Sequence, residues 1–148
     1  MARNSNEAIK RAHGELIKIL YMDDWLYDED TLQKIVEEFT DDTNWLITAA
    51  NNNLNPHYNK DIHLGVNTLG SPSALTIRNG LDVYFDENLT WLLDCLLYKQ
   101  LFDRFGEPKI MKDIGVGIGI HEGQMTNLIP KERKQWELEY IREKYYIN

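Results

Sequence analysis

Chemistry in a chain begins with carboxylates, histidines, thiols and hydroxyls spaced so that they can converge. The densest such group here is an acidic turn, Asp23, Asp24, Asp28, Glu29 and Asp30, with Trp25 and Tyr27 set between the charges. Carboxylates this close steer basic partners, and aromatic rings among them supply anchors once such a partner docks. Asp30 and Asp42 have a competing use as helix caps. The four histidines, His13, His57, His63 and His121, have no spacing that suggests a metal centre. His57 and His63 with Asp61 are the nearest approach, so no metal is expected. Cys95 sits in the most apolar stretch with no basic neighbour, which predicts a core thiol and not a nucleophile. No serine stands in a nucleophile elbow. Gly115-Val116-Gly117-Ile118-Gly119 lacks the lysine and further glycine of a phosphate loop. The expectation is a protein that binds, with no catalytic centre and no cofactor.

Between Lys109 and Ile129 apolar and small residues recur at a second suggestive spacing. Ile114 and Gly115 stand where a first short helix needs an apolar and a small residue, and Gly119 stands at a turn. Ile120, Met125 and Leu128 follow as anchors of a second helix. This stretch resembles a helix-turn-helix unit, in which steeply crossed helices need a small contact residue and a glycine turn. The resemblance implies DNA binding through Gln124, Thr126 and Asn127, with Lys112, Lys131 and Arg133 on phosphates. Three glycines weaken the first helix by about 1 kcal/mol each relative to alanine. The second helix carries no Lys or Arg on its outward side.

Charge bears on the choice between these partners. The chain carries 24 acids against 16 Lys and Arg, a net charge of −8. The excess lies entirely in residues 1–99 and is densest from Met22 to Asp42. Phosphate contacts dominate affinity for nucleic acid, so this balance favours a basic protein partner over DNA.

The elements that must position these residues follow from periodicity. Ser5 caps a predicted helix reaching Tyr21, with Ile9, Ala12, Leu16 and Leu20 on one face. Asp30 and Gln33 read as a capping box for a second helix carrying Leu32, Ile35, Val36 and Phe39 inward. A third, begun by Asp42 or Thr43, carries Trp45, Leu46 and Ile47 and ends at Asn51-Asn52-Asn53. Ile62 to Leu69 reads as a short strand. Leu75 and Ile77, then Asn79-Gly80, then Leu81, Val83 and Phe85 alternate about a tight-turn pair, predicting a β-hairpin. Residues 87–105 are apolar nearly all round, the mark of a buried central helix. Pro130 opens a last helix, on which Leu138, Ile141 and Tyr145 face the core. Trp136 and Tyr140 lie on another face and offer a self-association contact.

The predicted fold is therefore α+β and predominantly helical, with five or six helices around the central one and one small antiparallel hairpin. It reads as a single domain. Residues 1–53 make an acidic helical region, 54–85 the loop and hairpin, 86–106 the central helix, and 107–146 the helix-turn-helix-like segment with the C-terminal helix. No segment reads as a membrane span or signal peptide, so the expected location is cytoplasmic. The expected function is an interaction module, an inhibitor or adaptor docking its acidic surface on a basic partner. A helix-turn-helix regulator and a structural subunit of a larger assembly are the alternatives.

Overall fold

Trp45 to Ala50 are six buried residues in a row, and they form the middle strand of a five-stranded sheet. The structure is a computed structural model and describes residues 1–146. Its helices are α1 (Ala2–Arg11), α2 (Thr31–Glu38), α3 (Leu93–Phe105), α4 (Met125–Leu128) and α5 (Lys131–Ile141). Its strands are β1 (Leu16–Lys18), β2 (Trp25–Leu26), β3 (Trp45–Ala50), β4 (Leu75–Arg78) and β5 (Lys109–Gly117). They lie in the order β1-β4-β3-β5-β2, with β3 and β5 parallel and the other neighbours antiparallel. The sheet is mixed and curled. Helix makes up 39% of the chain and strand 17%, so the expectation of a predominantly helical protein with one small hairpin is overturned.

The sheet is covered on both faces. Trp45 and Ile47 point into the larger core, where α3 supplies Leu93, Leu96, Leu97, Tyr98 and Leu101. Leu46 points the other way, onto Ile35 of α2 and Met111 of β5. A strand buried on both faces loses its polar alternation and reads like a stretch of buried helix. The helical reading of Trp45, Leu46 and Ile47 fails for that reason. Each fully buried Leu or Ile of this core contributes about 1.5–3 kcal/mol relative to exposure.

Other elements depart from expectation for identifiable reasons. The first helix ends at Arg11, and beyond His13-Gly14 the chain straightens into β1. Asp30 does stand at the start of α2, but its side chain caps nothing; Thr31 Oγ1 instead accepts from Asp28 N at 3.1 Å. Of the residues expected inward on α2, Ile35 is buried while Leu32 and Val36 are exposed. Residues 62–69 form a single 3₁₀ turn, Ile62–Leu64, and loop.

The Asn79-Gly80 turn exists, with Gly80 at φ 87°, and β4 leads into it. The return segment Leu81–Phe85 forms no ladder, because β1 and β3 already occupy both edges of β4. Asn6 serves it instead, its side-chain amide both donating to and accepting from the Phe85 backbone. The central helix is where the sequence puts it, though it begins at Leu93.

The segment expected to be a helix-turn-helix is mostly strand. β5 runs from Lys109 to Gly117, and α4 is four residues long. In a strand, Gly115, Gly117 and Gly119 share one face, where neighbours come too close for a side chain. A Cβ on Gly117 would fall inside the Trp25 indole, and one on Gly119 would meet the Asp23 carbonyl. Gly117 and Gly119 therefore seat β2 and the acidic turn, while Gly115 makes room for Thr48 of β3.

Candidate functional site

Five segments and Asn52 converge on a cleft of about 810 Å³: the first turn of α1 with Met1, the turn 21–24, the loop 67–72, the entry and first turn of α3, and the segment 118–127. The folded sheet puts them together. β5 leads into Ile118, which lines the cleft near the acidic turn, and Ser71 and Pro72, also in the lining, lead into β4.

The acidic turn is drawn inward by its own hydrogen bonds. Asp24 Oδ1 accepts from Gly119 N at 3.0 Å, while its Oδ2 accepts from the hydroxyls of Ser73 and, at 3.5 Å, Ser71. Asp23 Oδ2 lies 3.1 Å from His121 Nε2, across the rim. Behind Asp24 the Lys18 ammonium donates to the carbonyls of Ser73 and Leu75. Burial lowers the Lys18 pKa from 10.5 to about 7, against the opposing pull of Asp24.

Asp94 is the carboxylate of the opposite wall. It is half-buried in the first turn of α3, where Oδ2 accepts from Asn67 Nδ2 at 2.9 Å and Oδ1 from Cys95 N at 2.8 Å. Burial raises its pKa from 3.8 to about 6, despite those donors. Tyr21, also of the cleft wall, has a buried hydroxyl with no hydrogen-bond partner among the described residues. Its pKa is raised by burial; the nearby Ser5 side chain, a weak neighbour that falls short of a full hydrogen bond, opposes this, and the negative fields of Asp94 and Asp24 add to it. A buried hydroxyl and a carboxylate of raised pKa lining one cleft make it a candidate functional site. Trp91 forms part of the same wall. At neutral pH Asp94 is largely ionised yet more basic than an ordinary carboxylate, so it can accept a hydrogen bond from a hydroxyl or ammonium donor.

The site residues expected from sequence are dispersed by the fold. Asp23 and Asp24 line the cleft, as do Gln124, Thr126 and Asn127, the residues expected to read DNA bases. Gln124 Nε2 is bound to Gly119 O at 2.9 Å. Trp25 and Tyr27 lie on and just beyond β2, at the sheet edge, 48% and 46% exposed, with Asp28 and Glu29 following. Asp28 lies 3.8 Å from Lys34. Lys112 is exposed on β5 and Lys131 begins α5. Arg133 is bound to Glu137, its guanidinium over the Trp136 ring. Trp136 stacks on Tyr140 at 5.0 Å, and the Tyr140 hydroxyl is engaged by Asp86 and Asn88. Ile114 and Gly115 lie in β5, so the first helix of the expected helix-turn-helix is replaced by strand, and of the second only the four-residue α4, carrying Thr126 and Asn127, is helical.

Sequence reasoning missed Asp94, Asn67, Tyr21 and Trp91. Asp94 did carry a signal, as an acid inside an otherwise apolar helix. Cys95 is buried beside it, its thiol pKa pushed far up by burial and by Asp94. A second cavity, of about 220 Å³, lies by the Asn79-Gly80 turn. Its Lys10 and Arg78 are already paired with Glu7 and Glu15. Among the described residues no three His, Cys, Asp or Glu side chains converge to hold a metal, and no helix is long and apolar enough to cross a membrane. No protein-family model, curated protein or solved structure matches the chain.

Proposed function

We propose that the protein works by binding, and that its site is the cleft between the acidic turn and the start of α3. The ligand of this reading is a small molecule rich in hydrogen-bond donors, a polyol or a polyamine. The observation that carries it is that the Asp94 carboxylate, its pKa raised by burial, and the buried Tyr21 hydroxyl line the same cleft from facing walls. Asp23, Asp24 and Asp94 make the lining rich in acceptors, and the half-buried Trp91 ring offers an apolar face.

A thermal-shift screen of polyols and polyamines at pH 7.5 tests the reading, because a ligand that binds only the folded chain raises its melting temperature. Compounds that stabilise the wild type and not Asp94→Asn support it. A panel without a stabiliser, or stabilisers indifferent to Asp94, would refute it.

One observation favours a second reading, the acidic interaction surface. Trp25 and Tyr27 are half-exposed at a sheet edge and flanked by Asp28 and Glu29, an arrangement suited to a basic segment of another protein. Asp24 is too deeply tied into Ser73 and Gly119 to serve as its probe. Reversal of Asp28 and Glu29 to lysine leaves those bonds intact and should abolish capture of a basic partner. Retained capture would exclude this surface.

A further inference from the structure

We infer that Glu137, far from Asp94 in sequence and on a different helix, is a positioning residue of the cleft, holding Trp91 and the first turn of α3 where they form its wall. The inference rests on the reading of the cleft as the ligand site. Glu137 is a charged residue with no exposure at all. Its carboxylate accepts from three successive backbone amides, Thr90 N, Trp91 N and Leu92 N, each at 2.9 Å. These amides form the turn entering α3, a concave array of N–H groups of the kind that binds anions. Arg133, one turn earlier on α5, bonds Glu137 Oε1 at 2.9 Å and also donates to Asn88 O. Two of the three residues so held, Thr90 and Trp91, line the cleft, and Asp94 follows two residues after the third.

The arrangement has an electrostatic consequence. The start of a helix carries the positive end of its dipole, which favours an ionised carboxylate in the first turn. Asp94 occupies that turn. The Glu137 carboxylate answers the same amides, so on this inference Asp94 feels less of the helix field, in addition to the burial that raises its pKa. The other groups around Asp94 are Asn67 from the 67–72 loop, Cys95 and Tyr98 from its own helix, and Tyr21 and Asp24 from the acidic turn, with the N-terminal amine of Met1 lining the same cleft. Lys18 lies behind Asp24, and Asp23 with His121 stands on the rim. Among these, Glu137 is set apart as a charge fastened to the helix entry itself.

The test is a carboxyl-carbon NMR titration of Asp94 in the unliganded full chain, which requires no ligand and so fails independently of the binding proposal. In Glu137→Gln the Asp94 midpoint should move down by roughly half to one pH unit, the size of a partly buried helix-terminus effect. A melting temperature that falls while the midpoint stays within about 0.2 unit, well inside that range, would reduce Glu137 to a structural staple and overturn the inference. Glu137→Gln also risks failing to fold, and Arg133→Met then decides. That variant keeps the carboxylate and removes its countercharge, so the midpoint should rise. An unchanged or lowered midpoint in Arg133→Met would overturn the inference equally.

Discussion

Replacing Asp94 with asparagine should make the protein more stable above pH 6 while abolishing the ligand binding proposed for the cleft. A carboxyl whose pKa is moved from 3.8 to about 6 by burial costs about 3 kcal/mol when ionised. Asp94 retains some contact with solvent at the cleft, which brings the recoverable amount nearer to about 2 kcal/mol. The substitution also turns an amide toward Asn67 Nδ2, forfeiting one hydrogen bond of about 1 kcal/mol. The net gain at pH 8 is therefore about 1 kcal/mol, or a melting temperature higher by roughly 2–4 °C.

The sign depends on pH. The folded state holds this proton more tightly than the unfolded chain, so wild-type stability falls as pH rises from about 4 through about 6 and then levels. At pH 4 the carboxyl is neutral in the fold and only the lost hydrogen bond remains, so the variant should be the less stable protein. Urea unfolding at pH 4, 6 and 8 reads the crossover directly. A variant less stable than wild type by the same amount at all three values would refute the argument that Asp94 ionises at a cost.

The other predictions concern the residues that build the cleft. Lys18→Met removes an ammonium whose pKa burial lowers to about 7. The wild-type lysine is charged in both states below pH 7, and only the unfolded chain holds the proton between about 7 and 10.5. The variant's advantage should therefore be greatest below 7 and shrink through that window in urea melts. Gly117→Ala drives a methyl into the Trp25 indole and should cost about 1–3 kcal/mol. Truncating Trp25 in the same chain should recover much of that loss, whereas additive losses would show that the glycine is needed for another reason.

How legible this was in the sequence differs between elements. α2, α3 and α5 declare themselves by apolar spacing, by Pro130 and by the glycine after Phe105. β5 was legible in principle. Ile114, Val116, Ile118 and Ile120 alternate with glycine at period two, a strand pattern hidden by weighing the glycines as helix-crossing and turn residues. The Leu75–Phe85 alternation is genuine, but whether a return strand pairs depends on which edges β1 and β3 have already taken, a long-range fact. The acidic turn was visible, and its inward fold onto Gly119 and Ser73 was not, because that needs β5 beside it. Glu137 carried a signal that went unused, a carboxylate four residues before Ile141 on the face that packs into the core.

The central claim, that the cleft is the binding site, is tested most directly by backbone amide shift mapping of the full chain with the panel of polyols and polyamines. Saturable shifts concentrated at Asn67, Trp91, Asp94 and Gln124, and abolished in Asp94→Asn, are the predicted result. Shifts confined to β2 and α2, or none at millimolar ligand, would contradict the account.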